Sequence, residues 1–195
     1  MIKQAIIPLA GLGTRLLPLT SVIPKELLPI GGKPGLEYIL DECIDAGVKE
    51  IILIISKKKK FIKDYFYKDN FYEKLIKKKN DKRLISEFKK IKKYRKFIKF
   101  IYQNKPLGTG DAVLKAKHLI KQKFFLMLLP DDLIIKKNCS KSMIAIHNKY
   151  NSGVMASMKV NKKNVSRWGI YDVKKRINKN NFIIKNVFEK PSTNK

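Results

Sequence analysis

KQAIIPLAGLGTR, residues 3–15, decides the fold. Its first part, KQAIIPL at 3–9, is a short, mostly apolar run that ends on a glycine turn, which predicts a buried strand. From Gly35 onward, Leu36, Ile39, Leu40, Cys43 and Ile44 recur at helical spacing, and Gly47 follows as a C-terminal cap. Next comes IILII at 51–55, a second buried strand rich in β-branched residues. Strand, helix, strand in that order predicts a crossover and a parallel pair.

Further along, the basic section at 57–96 reads as two or three helices, with Leu84, Phe88 and Ile91 as one apolar stripe. A strand near 97–102 precedes a helix near 109–120, whose buried face is Ala112, Val113, Ala116, Leu119 and Ile120. Phe124 to Leu129 is another strong strand, ending at Pro130-Asp131-Asp132. A helix near 140–150 and strands near 153–160, 168–174 and 181–188 complete the series. Alternation of this kind means a layered α/β domain with a mostly parallel sheet. No Pro/Gly/Ser linker and no repeat interrupts it, so a single domain is expected.

The chain has 195 residues, 44 Lys+Arg and 16 Asp+Glu, a net charge of +28. With 44% hydrophobic residues it can fill a core, which excludes wholesale disorder. The longest apolar run, Phe124–Leu129, is far below the roughly 18 residues of a membrane span. Pro8 cuts short any signal-peptide core, and two cysteines, Cys43 and Cys139, make no disulfide framework. A soluble, cytoplasmic protein is expected.

Between Lys57 and Lys99 stand 19 Lys+Arg and 5 Asp+Glu, half of the net charge. Such a stretch attracts polyanions, and Tyr65, Phe66, Tyr67, Phe71 and Tyr72 interleave aromatics with it, as in single-strand binders. Against this, Lys supplies 39 of the 44 cations and Arg only 5, whereas base and phosphate readout favour Arg. Solvated helix faces in a chain rich in AT-encoded residues account for the charge, and core packing accounts for the aromatics. No specific nucleic acid and no membrane partner is expected.

Ala10-Gly11-Leu12-Gly13-Thr14-Arg15 follows the first strand directly. In open α/β sheets ligands bind beyond the carboxyl ends of strands, where glycines let backbone N–H groups approach phosphate. Alone, Gly-x-Gly also fits an ordinary strand-to-helix turn. A dinucleotide fingerprint needs glycine where Leu16 stands, and a Walker-type loop needs Ser or Thr where Pro34 follows Gly32-Lys33. Arg15 and Pro24-Lys25-Glu26 place two cations near the turn, which suits a triphosphate whose leaving pyrophosphate gathers charge.

AGLGTRLLPLTSVIPKELLPIGGKP, residues 10–34, resembles the N-terminal signature of sugar-1-phosphate nucleotidyltransferases. Within them it looks most like the bacterial UTP–glucose-1-phosphate uridylyltransferase (UDP-glucose pyrophosphorylase) branch, through Pro24-Lys25-Glu26 and the long helical insertion before Gln103. The resemblance implies a three-layer nucleotide-diphospho-sugar transferase fold, Rossmann-like, with a mostly parallel mixed sheet lacking its C-terminal part. It further implies one nucleotidyltransferase domain over 1–195, incomplete at its C-terminus, with 57–96 as a basic helical insertion.

Carried over, the resemblance has the loop from Leu9 and Ala10 through Gly11, Gly13 and Thr14 to Arg15 wrap the nucleotide. Arg15 and Lys25 neutralise its phosphates as the catalytic cations. Gln103 and Gly108, in QNKPLGTG at 103–110, read the uracil edge, and Asp131 holds Mg²⁺. Gly169 in Trp168-Gly169-Ile170, with Glu189 and Lys190 of Glu-Lys-Pro, contacts the sugar phosphate. The implied substrates are UTP and glucose 1-phosphate, the products UDP-glucose and pyrophosphate, and the full-length family is homo-oligomeric. Thymidylyl transfer, or a nucleotide-binding remnant without full activity, are the alternatives. Ser21 stands in place of a lysine, Gly32 of an aspartate and Asp111 of a histidine common in this branch.

Overall fold

The computed structural model describes residues 2–68 and 71–192. The chain forms two compact units, Met1–Val154 and Met155–Lys195. In the first unit the elements run β1 (Gln4–Pro8), β2 (Pro29–Ile30), β3 (Lys33–Pro34), α1 (Gly35–Asp45), β4 (Glu50–Ile55), α2 (Lys60–Tyr67), α3 (Phe71–Lys79), α4 (Lys82–Tyr94), β5 (Ile98–Tyr102), α5 (Thr109–Lys115), β6 (Leu126–Met127) and α6 (Cys139–Tyr150). The second unit holds β7 (Gly169–Arg176) and β8 (Phe182–Glu189), paired antiparallel.

The central sheet has the order β5-β4-β1-β6 and every pair in it is parallel. Antiparallel pairing is confined to the separate sheets β2-β3 and β7-β8. Period-two alternation divides the central strands between two cores. Ala5, Ile7, Leu9, Ile51, Leu53 and Ile55 pack with residues of α1, α2 and α6. Ile6, Ile52 and Ile54 pack on Ala112 of α5 and on Ala116 just after it. A three-layer domain follows, and uninterrupted apolar runs are what strands covered on both faces require.

Two acidic residues tie the basic insertion to α1. Glu37, buried, accepts hydrogen bonds from Tyr65 Oη at 2.5 Å and Tyr94 Oη at 3.3 Å. Asp41 accepts from Tyr94 Oη at 2.6 Å, Lys33 Nζ at 2.5 Å and Lys90 Nζ at 3.3 Å. Burial opposes the Asp41 charge, but the bonds from Lys33 and Tyr94 and the charges of Lys33 and Lys90 outweigh it and hold the carboxyl below its ordinary 3.8. A carboxyl lowered on folding stabilises above its unfolded pKa, and that stability is lost as pH falls through the folded value. Asp41→Asn is therefore expected to flatten the fall in denaturation midpoint as pH drops below about 4. An unchanged slope in urea titrations would contradict this.

Several elements depart from their sequence-based bounds. The strand expected at 124–129 is reduced to Leu126–Met127, because it lies at the sheet edge and pairs only with Ala5 and Ile6. Phe124 and Leu128 pack on one core and Phe125 on the other, so the run keeps its alternation without a full ladder. The helix expected to Ile120 stops at Lys115, and Lys117–Leu119 is a single 3₁₀ turn. Residues 153–160 form no strand, as they pair with none. Phe66 is fully buried, as core packing requires, whereas Phe71 and Tyr72 are exposed. Among the described residues no helix is long and apolar enough to cross a membrane.

Candidate active site

The chain steps from β1 to β4 to β5 in one direction and then returns to lay β6 on the other side of β1. This reversal makes β1–β6 the switch point of the sheet, where the connections leave in opposite directions and open a crevice. Parallel strands also send all their following loops to one edge. The turn after β1, the segment after β5 and the turn after β6 therefore share the carboxyl rim.

Leu9 extends the ladder, donating its amide to the Ile54 carbonyl at 2.7 Å, so its N–H is already used. Leu9 and Ala10 bury their side chains, and exposure begins at Gly11. Gly13 adopts φ 69°, ψ 27°, the left-handed region, and its carbonyl accepts from Leu16 N at 3.0 Å and Thr20 Oγ1 at 2.8 Å. The loop is thus folded on itself. Thr14 and Arg15 lie on the 3₁₀ turn Thr14–Leu16, both exposed. A Cβ on Gly11 would meet nothing within 4 Å, so packing does not require glycine there.

Lys25 Nζ lies 3.3 Å from Asp131 Oδ2. The cation that follows the glycine turn and the carboxylate that follows β6 thus meet over the switch point. Asp132 is pushed above its ordinary value by burial and by the Asp131 charge, with Lys25 pulling the other way. One cation and two carboxylates therefore form one electrostatic unit. Among the described residues no group of three or more His, Cys, Asp or Glu gathers to cage a metal. Asp131 and Asp132 offer one or two carboxylates, the set that suits Mg²⁺ shared with substrate phosphates.

The next residue, Glu26, is fully buried and accepts both Lys59 Nζ–H bonds, at 2.7 and 2.9 Å. Lys59 is itself buried, and burial, only partly offset by Glu26, pushes its pKa down. This pair fixes the backbone from which Lys25 projects. Neither partner was assigned a role from sequence. The available signal was spacing: Lys59, Ile62 and Phe66 fall at i, i+3 and i+7, and all three are buried.

Gln103 is buried at the end of β5, with its amide nitrogen 3.1 Å from the Gly108 carbonyl and 2.7 Å from Asp111 Oδ2. Gly108 has φ 93°, ψ 177°, a region open essentially to glycine alone. That conformation aims its carbonyl at Gln103. The histidines take no part: His118 is exposed and His147 Nδ1 lies against the Ser152 carbonyl.

In the second unit, Gly169 pairs directly with Glu189, and Lys190 N donates to the Trp168 carbonyl at 3.0 Å. A Cβ on Gly169 would lie 3.3 Å from Glu189 Oε2. Lys190 Nζ approaches Glu189 Oε1 at 3.7 Å. The hairpin therefore gathers Gly169, Glu189 and Lys190 at one end.

Known proteins resemble this chain in sequence and fold. A UTP–glucose-1-phosphate uridylyltransferase of Streptococcus pyogenes is 36% identical over 199 residues, covering 97% of this chain and 64% of its own length. The UTP-bound UGPase from Acinetobacter baumannii superposes with a TM-score of 0.89 at 33% identity, over 99% of this chain and 69% of its own. A UDP-glucose pyrophosphorylase complexed with UDP-glucose gives 0.84 at 29% identity, over 100% of this chain and 71% of its own. The chain spans 57–66% of the length of the curated relatives it matches first. The profile described as nucleotidyl transferase matches residues 4–195. With that match running through both units, the chain belongs to the nucleotidyl transferase family.

Proposed function

We propose that this chain carries the nucleotide site of a UTP–glucose-1-phosphate uridylyltransferase, which makes UDP-glucose and pyrophosphate from UTP and glucose 1-phosphate. The observation that carries the reading is the meeting of Lys25 and Asp131 over the switch point, on the same rim as the glycine turn. The likeness to a UTP-bound and a UDP-glucose-bound protein supports the choice of substrates.

The reaction is an in-line displacement. A phosphate oxygen of glucose 1-phosphate forms a bond to the α-phosphorus of UTP, and the bond from that phosphorus to the α,β-bridging oxygen breaks. The electron pair leaves with pyrophosphate. The attacking phosphate is already ionised, so no general base is needed and positioning with charge neutralisation carries the rate. Main-chain amides at Gly11 and Gly13 approach the phosphates, and Arg15 and Lys25 neutralise the charge that gathers on the departing pyrophosphate. Asp131 holds Mg²⁺, which when bound supplies further neutralisation of the phosphate oxygens. Gln103 and Gly108 orient the base, while Gly169, Glu189 and Lys190 take the sugar phosphate. Cytoplasmic placement and homo-oligomers follow the same reading.

Incubating the 195-residue chain with Mg²⁺, UTP and glucose 1-phosphate is expected to release pyrophosphate, and faster with UTP than with dTTP. Equal or inverted preference would contradict uridylyl transfer. Magnesium-dependent UTP binding without any pyrophosphate would identify a binding chain that lacks the reaction.

A further inference from the structure

The nucleotide reading gives Asp111 no role. Asp111 sits in the first turn of α5, its side chain 18% exposed, with Lys115 Nζ 3.8 Å from Oδ1 one turn along. Its other oxygen, Oδ2, accepts from the Gln103 amide nitrogen at 2.7 Å. The Gly108 carbonyl accepts from the same nitrogen at 3.1 Å. A primary amide has two N–H donors on nitrogen and an acceptor oxygen. Here both neighbours of the nitrogen are acceptors that cannot donate, so the reversed amide would set its oxygen against a carbonyl and a carboxylate. The side chain has one permitted orientation.

That orientation decides what Gln103 can offer a ligand. Its Oε1 takes no protein donor among the described residues, yet no buried side-chain nitrogen or oxygen there lacks a partner. Oε1 is therefore reached by solvent, although the residue as a whole is only 4% exposed. What Gln103 presents at the rim is an acceptor held in place.

We propose that Asp111 is a specificity-determining positioning residue. By holding the Gln103 amide with its oxygen outward, it selects nucleobases whose pairing edge carries a ring N–H, uracil and thymine, and disfavours cytosine. Uracil and thymine donate from N3, whereas cytosine N3 is a lone pair that would face Oε1. A buried polar group left facing a like partner loses its hydrogen bond and keeps its desolvation cost. The carboxylate makes the stronger of the two restraints, because bonds to an ionised acceptor are about twice as strong as neutral ones. Without it, reversing the amide would oppose only the Gly108 carbonyl. The inference rests on the proposed nucleotide site and goes beyond it in naming what orients the reader.

The test is calorimetric titration of UTP, dTTP and CTP, with Mg²⁺, into the 195-residue chain and two variants. Asp111→Ala is expected to lower the UTP-to-CTP affinity ratio by about tenfold, the scale of one such hydrogen bond. The UTP-to-dTTP ratio should stay fixed, since both bases carry the same N–H. Asp111→Asn should lower the UTP-to-CTP ratio as well, because its amide can turn to donate to a reversed Gln103 and so no longer fixes the orientation. An alanine variant with the parent ratio, or one that weakens UTP and CTP equally, would overturn the inference and mark Asp111 as structural. An asparagine variant with the full parent ratio would overturn it too, since an acceptor-only side chain would then not be needed. A parent chain that binds UTP and CTP alike removes base reading by Gln103, and with it this role. A parent chain that binds no nucleotide overturns the proposed function itself and this inference with it.

Discussion

Lys59→Met is expected to lower the unfolding free energy by about 3–5 kcal/mol, the cost of leaving one member of a buried ion pair without its partner. Glu26 and Lys59 are 3% and 7% exposed, and both ammonium-to-carboxylate bonds lie below 3 Å. Removing the ammonium strands a buried Glu26 charge. Burial, with repulsion from Lys25, pushes the Lys59 pKa down despite Glu26. A matched apolar pair should therefore serve stability as well as the ionic one. Glu26→Leu combined with Lys59→Met is expected to recover most of the loss, with urea denaturation as the measure. A single variant that loses less than about 1 kcal/mol, or a double variant less stable than either single one, would contradict this.

Lys25→Ala is expected to lower uridylyl transfer by about 10²–10³-fold, the usual effect of removing one group aimed at charge that develops in the transition state. The loss should fall on kcat more than on KM, because negative charge on the leaving pyrophosphate is largest while the bond is breaking. The fold should survive. Lys25 and Asp131 are 23% and 59% exposed in their side chains, and an ion pair of that exposure contributes about 0–1 kcal/mol. Steady-state pyrophosphate release, set beside a thermal melt, separates the two effects. A loss of less than about tenfold in turnover, or a collapse in stability, would contradict the role.

The sequence made the strands legible where burial is two-sided. IILII at 51–55 and the run at 3–9, observed as Gln4–Pro8, could be placed because both faces of each are covered, so apolar residues follow one another. Leu126–Met127 was harder, since the apolar run around it feeds two cores while its ladder has a neighbour on one side only. The stretch at 153–160 reads as a strand, but a strand needs a partner, and local pattern cannot supply one.

The site shows the same division. The glycines, Gln103 and Asp131 stood out because each follows a strand, where a common rim follows from parallel order, and Arg15 and Lys25 because they are cations close after the glycine turn. That Lys25 would reach Asp131 could not be read, because the two meet only through the register of β1 against β6. Lys59 was hidden among four consecutive lysines, of which the helical phase buries one. Asp111 drew notice as a departure from the branch, and its purpose emerged only from the bond to Gln103.

Titration of UTP into the parent chain and into Asp131→Ala, each with and without Mg²⁺, tests the nucleotide site most directly. The parent is expected to bind UTP far more tightly with Mg²⁺ than without it, and Asp131→Ala to lose that dependence while it stays folded. The same dependence on Mg²⁺ in both proteins, or no binding of UTP to the parent, would contradict a triphosphate held at the β1–β6 switch point.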